Sequence, residues 1–261
     1  MKDSSEKKAG YFDLSHEQYK NVGFKETGKD LRFVSLKDRS INTCISDELQ
    51  WSIQMGKERT LWQGQMRMLK YPLDAMTYLQ IMGDIRPKTI IEMGTFTGSS
   101  ADFLSMSLSH MKVDYTIYTV DYDPSNRHEL ASKNPNIKFL TGDLNKVEDI
   151  FPIELLKNLP HPIFYIDDAH VNTPGLLEYF HPYFQEGDYI VIEYTTINIP
   201  KDFVNERPYS VEMEKCGSTK HDEMAKFLEK YSEFYKVDTH YCDLWGYNAT
   251  ANSNGYIRRM K

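Results

Sequence analysis

Glu92, Gly94 and Gly98 stand in the spacing E-x-G-x-x-x-G, Asp121 follows in YTVDYD, and Asp143 follows in FLTGD. Each group ends a short apolar run, so the three acids fall at the carboxyl ends of three successive predicted strands. A glycine-bearing turn between a strand and a helix lets the backbone approach a ligand closely. The dinucleotide fingerprint requires G-x-G-x-x-G, but Phe96 stands between the glycines here, which argues against a pyrophosphate. A carboxylate at Asp121 is sited to accept two hydrogen bonds from a ribose diol, and Asp143 to meet an adenine amino group. Glu92 is sited to meet a ligand ammonium, directly or through water. A nucleoside that carries a cation and no phosphate is S-adenosylmethionine. Thr95, Phe96 and Ser99 of the turn complete the expected cofactor set. Any one of these features also has a plain structural reading, as a packing turn or a helix N-cap. Their coincidence at consecutive strand ends is what points to a nucleoside.

The elements that must hold these residues alternate. Strand-length apolar runs occur at 89–93, 115–120, 137–140, 162–166 and 188–193, separated by helical stretches. Such alternation predicts a parallel sheet covered on both faces. Leu73, Met76, Leu79 and Met82 recur at three-residue steps after Pro72, which predicts a helix leading into the first of these strands. Two further strands in EFYKVDTHYCDLW and SNGYIRRM are linked by a loop too short for a helical crossover, so they are expected to pair antiparallel. In an open sheet of this type ligands bind beyond the strand carboxyl ends at the topological switch point. Residues 1–60 are expected to form an N-terminal extension or cover, and 61–261 one domain with an inserted loop at 195–220, a candidate lid.

The 261 residues, 40% of them hydrophobic, suffice for one α/β core. With 31 basic against 38 acidic residues the formal net charge is −7, and no long block of one sign occurs, which argues against a nucleic-acid groove or a membrane patch. There is no apolar leader region and no run of about eighteen apolar residues. A soluble, untargeted cytoplasmic protein is therefore expected. Its three widely spaced cysteines suit reduced thiols in such a compartment. A small-molecule acceptor and a homo-oligomer complete the expectation.

The stretch LWQGQMRMLKYPLDAMTYLQIMGDIRPKTIIEMGTFTGSSADFL, followed by YTVDYDP, IDDAHVNTPGLLEYFHPYFQEGDYIVIEYT and NGYIRRM, resembles the cephalosporin-hydroxylase-like family of class I S-adenosylmethionine-dependent methyltransferases, which is similar to rhamnosyl and macrolide O-methyltransferases. The likeness covers roughly residues 60–195 and, more loosely, the tail. It implies a Rossmann-like, mostly parallel sheet with an antiparallel edge strand and helices on both faces, and it implies methyl transfer. It also implies a magnesium site in many members, built from an aspartate after the fourth strand and an acidic pair after the fifth. Carried onto this chain, Asp167 in YIDDAH matches the first ligand, also beside the cofactor, and Glu193 in VIEYT the second. The third position is Tyr194 instead of an aspartate, so Asp168 would have to deputise, or Tyr194 contacts the substrate.

The sulfonium is already a strong electrophile, so the protein must hold a nucleophile in line and remove its proton. A magnesium ion is one device for the proton. His170, three residues beyond Asp167, is the other and the candidate base. With one carboxylate lost, weak or absent metal dependence is expected. Trp62 and Gln63 either close the cofactor site or pack. O-methylation of a hydroxyl is the leading expectation; an amine acceptor, an NAD-dependent oxidoreductase and a non-catalytic relative are the alternatives.

Overall fold

The computed structural model describes residues 32–196 and 208–261, the side chains of 208–218 excepted. Most of the polar N-terminal arm, and the part of the candidate lid at 197–207, lie outside the described residues.

Five apolar runs form the parallel strands β4 (Thr89–Met93), β5 (Thr116–Asp121), β6 (Ile137–Thr141), β7 (Ile163–Asp167) and β8 (Tyr189–Ile192). β4, β7 and β8 are buried along their whole length, as strands covered on both faces must be. With β1 (Phe33–Val34), β9 (Tyr235–Asp238) and β10 (Tyr256–Arg259), the sheet has the order β1-β9-β10-β8-β7-β4-β5-β6. The chain leaves β4 toward β5 and β6, then returns to build β7 and β8 on its other side, so β4 is the switch point. The register pairs Met93 with both Val120 and Asp167, and Asp167 with Ile192. The strand ends are therefore level, and the residues just beyond them share one rim.

The tail strands β9 (Tyr235–Asp238) and β10 (Tyr256–Arg259) pair antiparallel, as expected. β10 enters between β9 and β8, antiparallel to both. The outer edge is β1 (Phe33–Val34), antiparallel to β9.

Residues 33–261 form one compact unit, which includes part of the expected N-terminal cover. β1 completes the sheet edge, and the helix Asp47–Lys57, capped by Ser46, ends in Lys57, whose Nζ donates to Tyr194 Oη just beyond β8. Residues 208–220, expected within a loop, begin a helix, Pro208–Lys230. Proline at a first helical position and a run rich in Glu, Lys and Met favour that helix, although no apolar strand-like signal marks it. The helix Pro72–Ile85 forms as predicted and stops at Arg86, whose left-handed backbone (φ 47) returns its N–H to Met82. Among the described residues no helix is long and apolar enough to cross a membrane.

Candidate active site

A cleft of about 710 Å³ opens beyond the carboxyl ends of β4, β5, β6 and β7. Of the residues expected at a cofactor, Gly94, Thr95, Phe96, Ser99, Asp121 and Asp143 line it. Asp168, His170 and Tyr194 line it as well.

The turn after β4 is a tight backbone crossing. Gly94 has φ 102, and a side chain there would meet the Asp168 carbonyl oxygen at 3.0 Å. The glycine is thus required by the close approach of the chains leaving β4 and β7, not only by a ligand. Phe96 donates its backbone N–H to Asp121 Oδ2 at 2.8 Å, while Asp121 Oδ1 accepts from the Asp123 N–H. Asp143 caps the next turn, accepting from the Asn145 N–H at 2.9 Å, and these bonds hold its carboxyl below the usual range.

Three expected cofactor residues sit behind the cleft wall. Glu92 is fully buried, with its two carboxylate oxygens accepting from Ser100 Oγ and Thr119 Oγ1, so it braces the start of the helix Ser99–His110. Burial raises its pKa, and the Lys70 ammonium opposes that rise. Gly98 (φ 79) faces Ala131 Cβ and Phe139 at about 3 Å and is a packing glycine. Asp167 is buried; its Oδ1 accepts from the Ala169 N–H and the Lys220 ammonium, both at 3.2 Å, and Oδ2 has no hydrogen-bond partner among the described residues. Trp62 and Gln63 both donate to Asp102 Oδ2, at 2.8 and 2.6 Å, which fastens the hairpin β2 (Leu61–Trp62) and β3 (Met66–Arg67) to that same helix instead of closing the cleft.

The residues missing from the sequence reading are lysines. Lys70 is buried and places Nζ 2.6 Å from Asp168 Oδ2, 2.5 Å from Glu193 Oε1 and 4.0 Å from Glu92 Oε1. Burial opposes its charge, but the carboxylates of Asp168, Glu193 and Glu92 more than offset this and push its pKa up. Glu193 Oε1 also accepts from Tyr78 Oη at 2.6 Å. Lys220 donates to Asp167 and to the Ala169 carbonyl. Lys57, 1% exposed, donates to Tyr194 Oη at 2.7 Å, and burial draws its pKa down to about 8. Tyr194, at φ 59, passes that hydrogen bond on to the Leu69 carbonyl at 3.0 Å. A lysine within a polar segment reads as surface; the one signal for these three was the excess of carboxylates gathered at the strand ends.

His170 stands at the rim, open to solvent on one side, with its ring centroid 5.5 Å from that of Tyr194. Desolvation of its inner face, then the Lys220 ammonium, lower its pKa below 6.5, which leaves the imidazole neutral near pH 7.

The carboxylates that would hold a divalent cation are each paired with a lysine here. Asp168 and Glu193 meet through Lys70, Asp167 is turned to Lys220, and Tyr194 is engaged by Lys57. Among the described residues no three His, Cys, Asp or Glu side chains converge as a metal cage.

Residues 56–260 match the family model described as Rhamnosyl O-methyltransferase/CmcI. The chain is 28% identical over 143 residues to the rhamnosyl O-methyltransferase of Mycobacterium leprae (strain TN), a match that covers 53% of this chain and 62% of that protein. Among solved structures, apo CmcI is similar at 25% identity and a TM-score of 0.60, over 78% of this chain and 77% of that one. CmcI with magnesium and S-adenosylmethionine is similar at 26% identity and a TM-score of 0.59, over 78% of each chain. The sheet is accordingly the Rossmann-like sheet of class I methyltransferases. With over three quarters of its length matched by one family model, this chain belongs to the rhamnosyl O-methyltransferase/CmcI family.

Proposed function

We propose that this chain is an S-adenosylmethionine-dependent methyltransferase that methylates a hydroxyl of a small molecule. The observation that carries the reading is one cleft at the β4 switch point, lined together by Gly94, Asp121, Asp143 and His170. Asp121, already oriented by the Phe96 N–H, takes the ribose diol, and Asp143 takes the adenine edge. The relatives support the same reading, one by its name as a rhamnosyl O-methyltransferase and one by S-adenosylmethionine in its structure.

His170 is the base. The acceptor oxygen attacks the methyl carbon while the C–S bond breaks and its electron pair goes to sulfur, leaving S-adenosylhomocysteine. The acceptor proton passes to the neutral imidazole. Tyr194, fixed through its Oη by Lys57 and Leu69, forms the wall against which the acceptor rests. The formal charge of −7 argues against nucleic acid as the acceptor. A homo-oligomer is supported by exposed Met76 and Trp245, the latter bonded to the helix that carries the former; light scattering tests it.

Thermal melts of the full chain test the assignment. S-adenosylhomocysteine is expected to raise the melting temperature and NAD to leave it unchanged. Protection by NAD alone would replace the reading with an oxidoreductase.

A further inference from the structure

The acidic cluster behind the cleft has its own cations. Glu92, Asp168 and Glu193 converge on one ammonium, that of Lys70, at 4.0, 2.6 and 2.5 Å. The Lys70 side chain is 3% exposed and that of Glu193 5% exposed, while Asp168, 20% exposed, forms the side of the cluster that faces the cleft. An ammonium offers three donors and no acceptor, and here two are spent on carboxylates while the third side faces Glu92. Lys220 holds Asp167 by a further ion pair at 3.2 Å. Each of the three side chains that would have to ligate a metal is therefore already neutralised by a lysine.

We propose that Lys70 stands in the place of a divalent cation, so that the site is organised by an internal ammonium and binds no magnesium. A dication entering between Asp168 and Glu193 would have to expel Lys70 from both carboxylates. It would then sit beside a displaced ammonium whose stem is held at the cleft wall, where like charges repel. Lys57, buried next to Tyr194, adds a second positive charge on that side. The lysine also explains how a chain with Tyr194 in place of a third carboxylate keeps its rim in order: the ammonium orients Asp168 and Glu193 as a metal would, while Lys57 orients Tyr194.

The proposal rests on the reading of this cleft as the cofactor site, yet its test does not need turnover. Full-length protein freed of metal with a chelator is titrated with Mn²⁺, followed by electron paramagnetic resonance, with S-adenosylhomocysteine present and absent. The wild type is expected to show no saturable Mn²⁺ site at millimolar ion, whether or not the nucleoside binds. Lys70→Ala, which frees Asp168 and Glu193, is expected to gain one saturable site that Mg²⁺ competes away, and its melting temperature is expected to rise with added Mg²⁺. Should the alanine variant not fold, Lys70→Gln keeps the stem and removes only the charge. A saturable site in the wild type overturns the proposal. Folded Lys70 variants that bind no more Mn²⁺ than the wild type overturn it equally, because then the lysine is not what excludes the ion. Failure of S-adenosylhomocysteine to bind, with the Mn²⁺ results as expected, would instead remove the methyltransferase reading.

Discussion

The Phe96 backbone N–H donates to Asp121 Oδ2 at 2.8 Å, which ties the turn after β4 to the end of β5. A carboxylate held this way is oriented before any ligand arrives, so little ordering remains to be done on binding.

Asp121→Ala is expected to weaken S-adenosylhomocysteine by about 1.5–3 kcal/mol, the scale for removing a charged acceptor and leaving donors unmet. Isothermal calorimetry measures it. Unchanged affinity would detach Asp121 from the ribose.

His170→Ala is expected to lower turnover by roughly 10² to 10⁴, the usual contribution of a positioned base, with cofactor affinity nearly unchanged. The comparison needs kcat and a separate binding titration once an acceptor is found. A variant with wild-type turnover would move the base elsewhere, with Tyr194 the next residue to mutate.

Tyr194→Phe removes the acceptor of the buried Lys57 ammonium and the donor to the Leu69 carbonyl. The expected loss is about 1–3 kcal/mol of unfolding free energy, because the buried Lys57 ammonium and the Leu69 carbonyl both lose that partner. Denaturant unfolding reads it, and Lys57→Met in the same chain should recover part of the loss. A Tyr194→Phe protein as stable as wild type would show that water readily replaces the hydroxyl.

Gly98→Ala forces a side chain into left-handed backbone (φ 79) with its Cβ 2.9 Å from Ala131 Cβ and 3.0 Å from Phe139. Backbone strain and overpacking together are expected to cost at least about 2 kcal/mol. A loss confined to cofactor affinity, with stability intact, would place Gly98 at the ligand after all.

Asp74 supplies a pH test of the buried frame beside the site. Its carboxylate accepts from Thr250 Oγ1, the Ala251 N–H and Tyr256 Oη, yet burial raises its pKa from 3.8 to about 6. The folded state then holds this proton between those values while the unfolded state releases it. Stability from this group is therefore present below the unfolded pKa and is lost as pH rises from about 4 to 6. The difference in unfolding free energy between wild type and Asp74→Asn should move in favour of wild type by roughly 2 kcal/mol on going from pH 7 to pH 4. A constant difference across that range would mean that the three hydrogen bonds keep the carboxylate charged.

What the sequence by itself determined were the parts whose cause is local. Apolar runs of strand length set β4 to β8, Pro72 opened its helix, and Gly94 marked the rim, because period, propensity and backbone freedom act between near neighbours. The placement of Asp121, Asp143 and His170 at the cleft was legible for the same reason: each stands at or just beyond the end of a strand whose direction was already known. Only the tertiary structure decided where the lysines go. Lys57, Lys70 and Lys220 lie far from Tyr194, Glu193 and Asp167 in the chain, and nothing in their own segments distinguishes them from solvated surface. Charge pairing in a dry interior depends on which residues packing brings within about 3 Å, a property of the folded sheet and its covering helices and not of any stretch of sequence. The same holds for Glu92, whose place at a strand end suggested ligand contact but whose side chain points into the helix–sheet layer, where Ser100 and Thr119 take both oxygens.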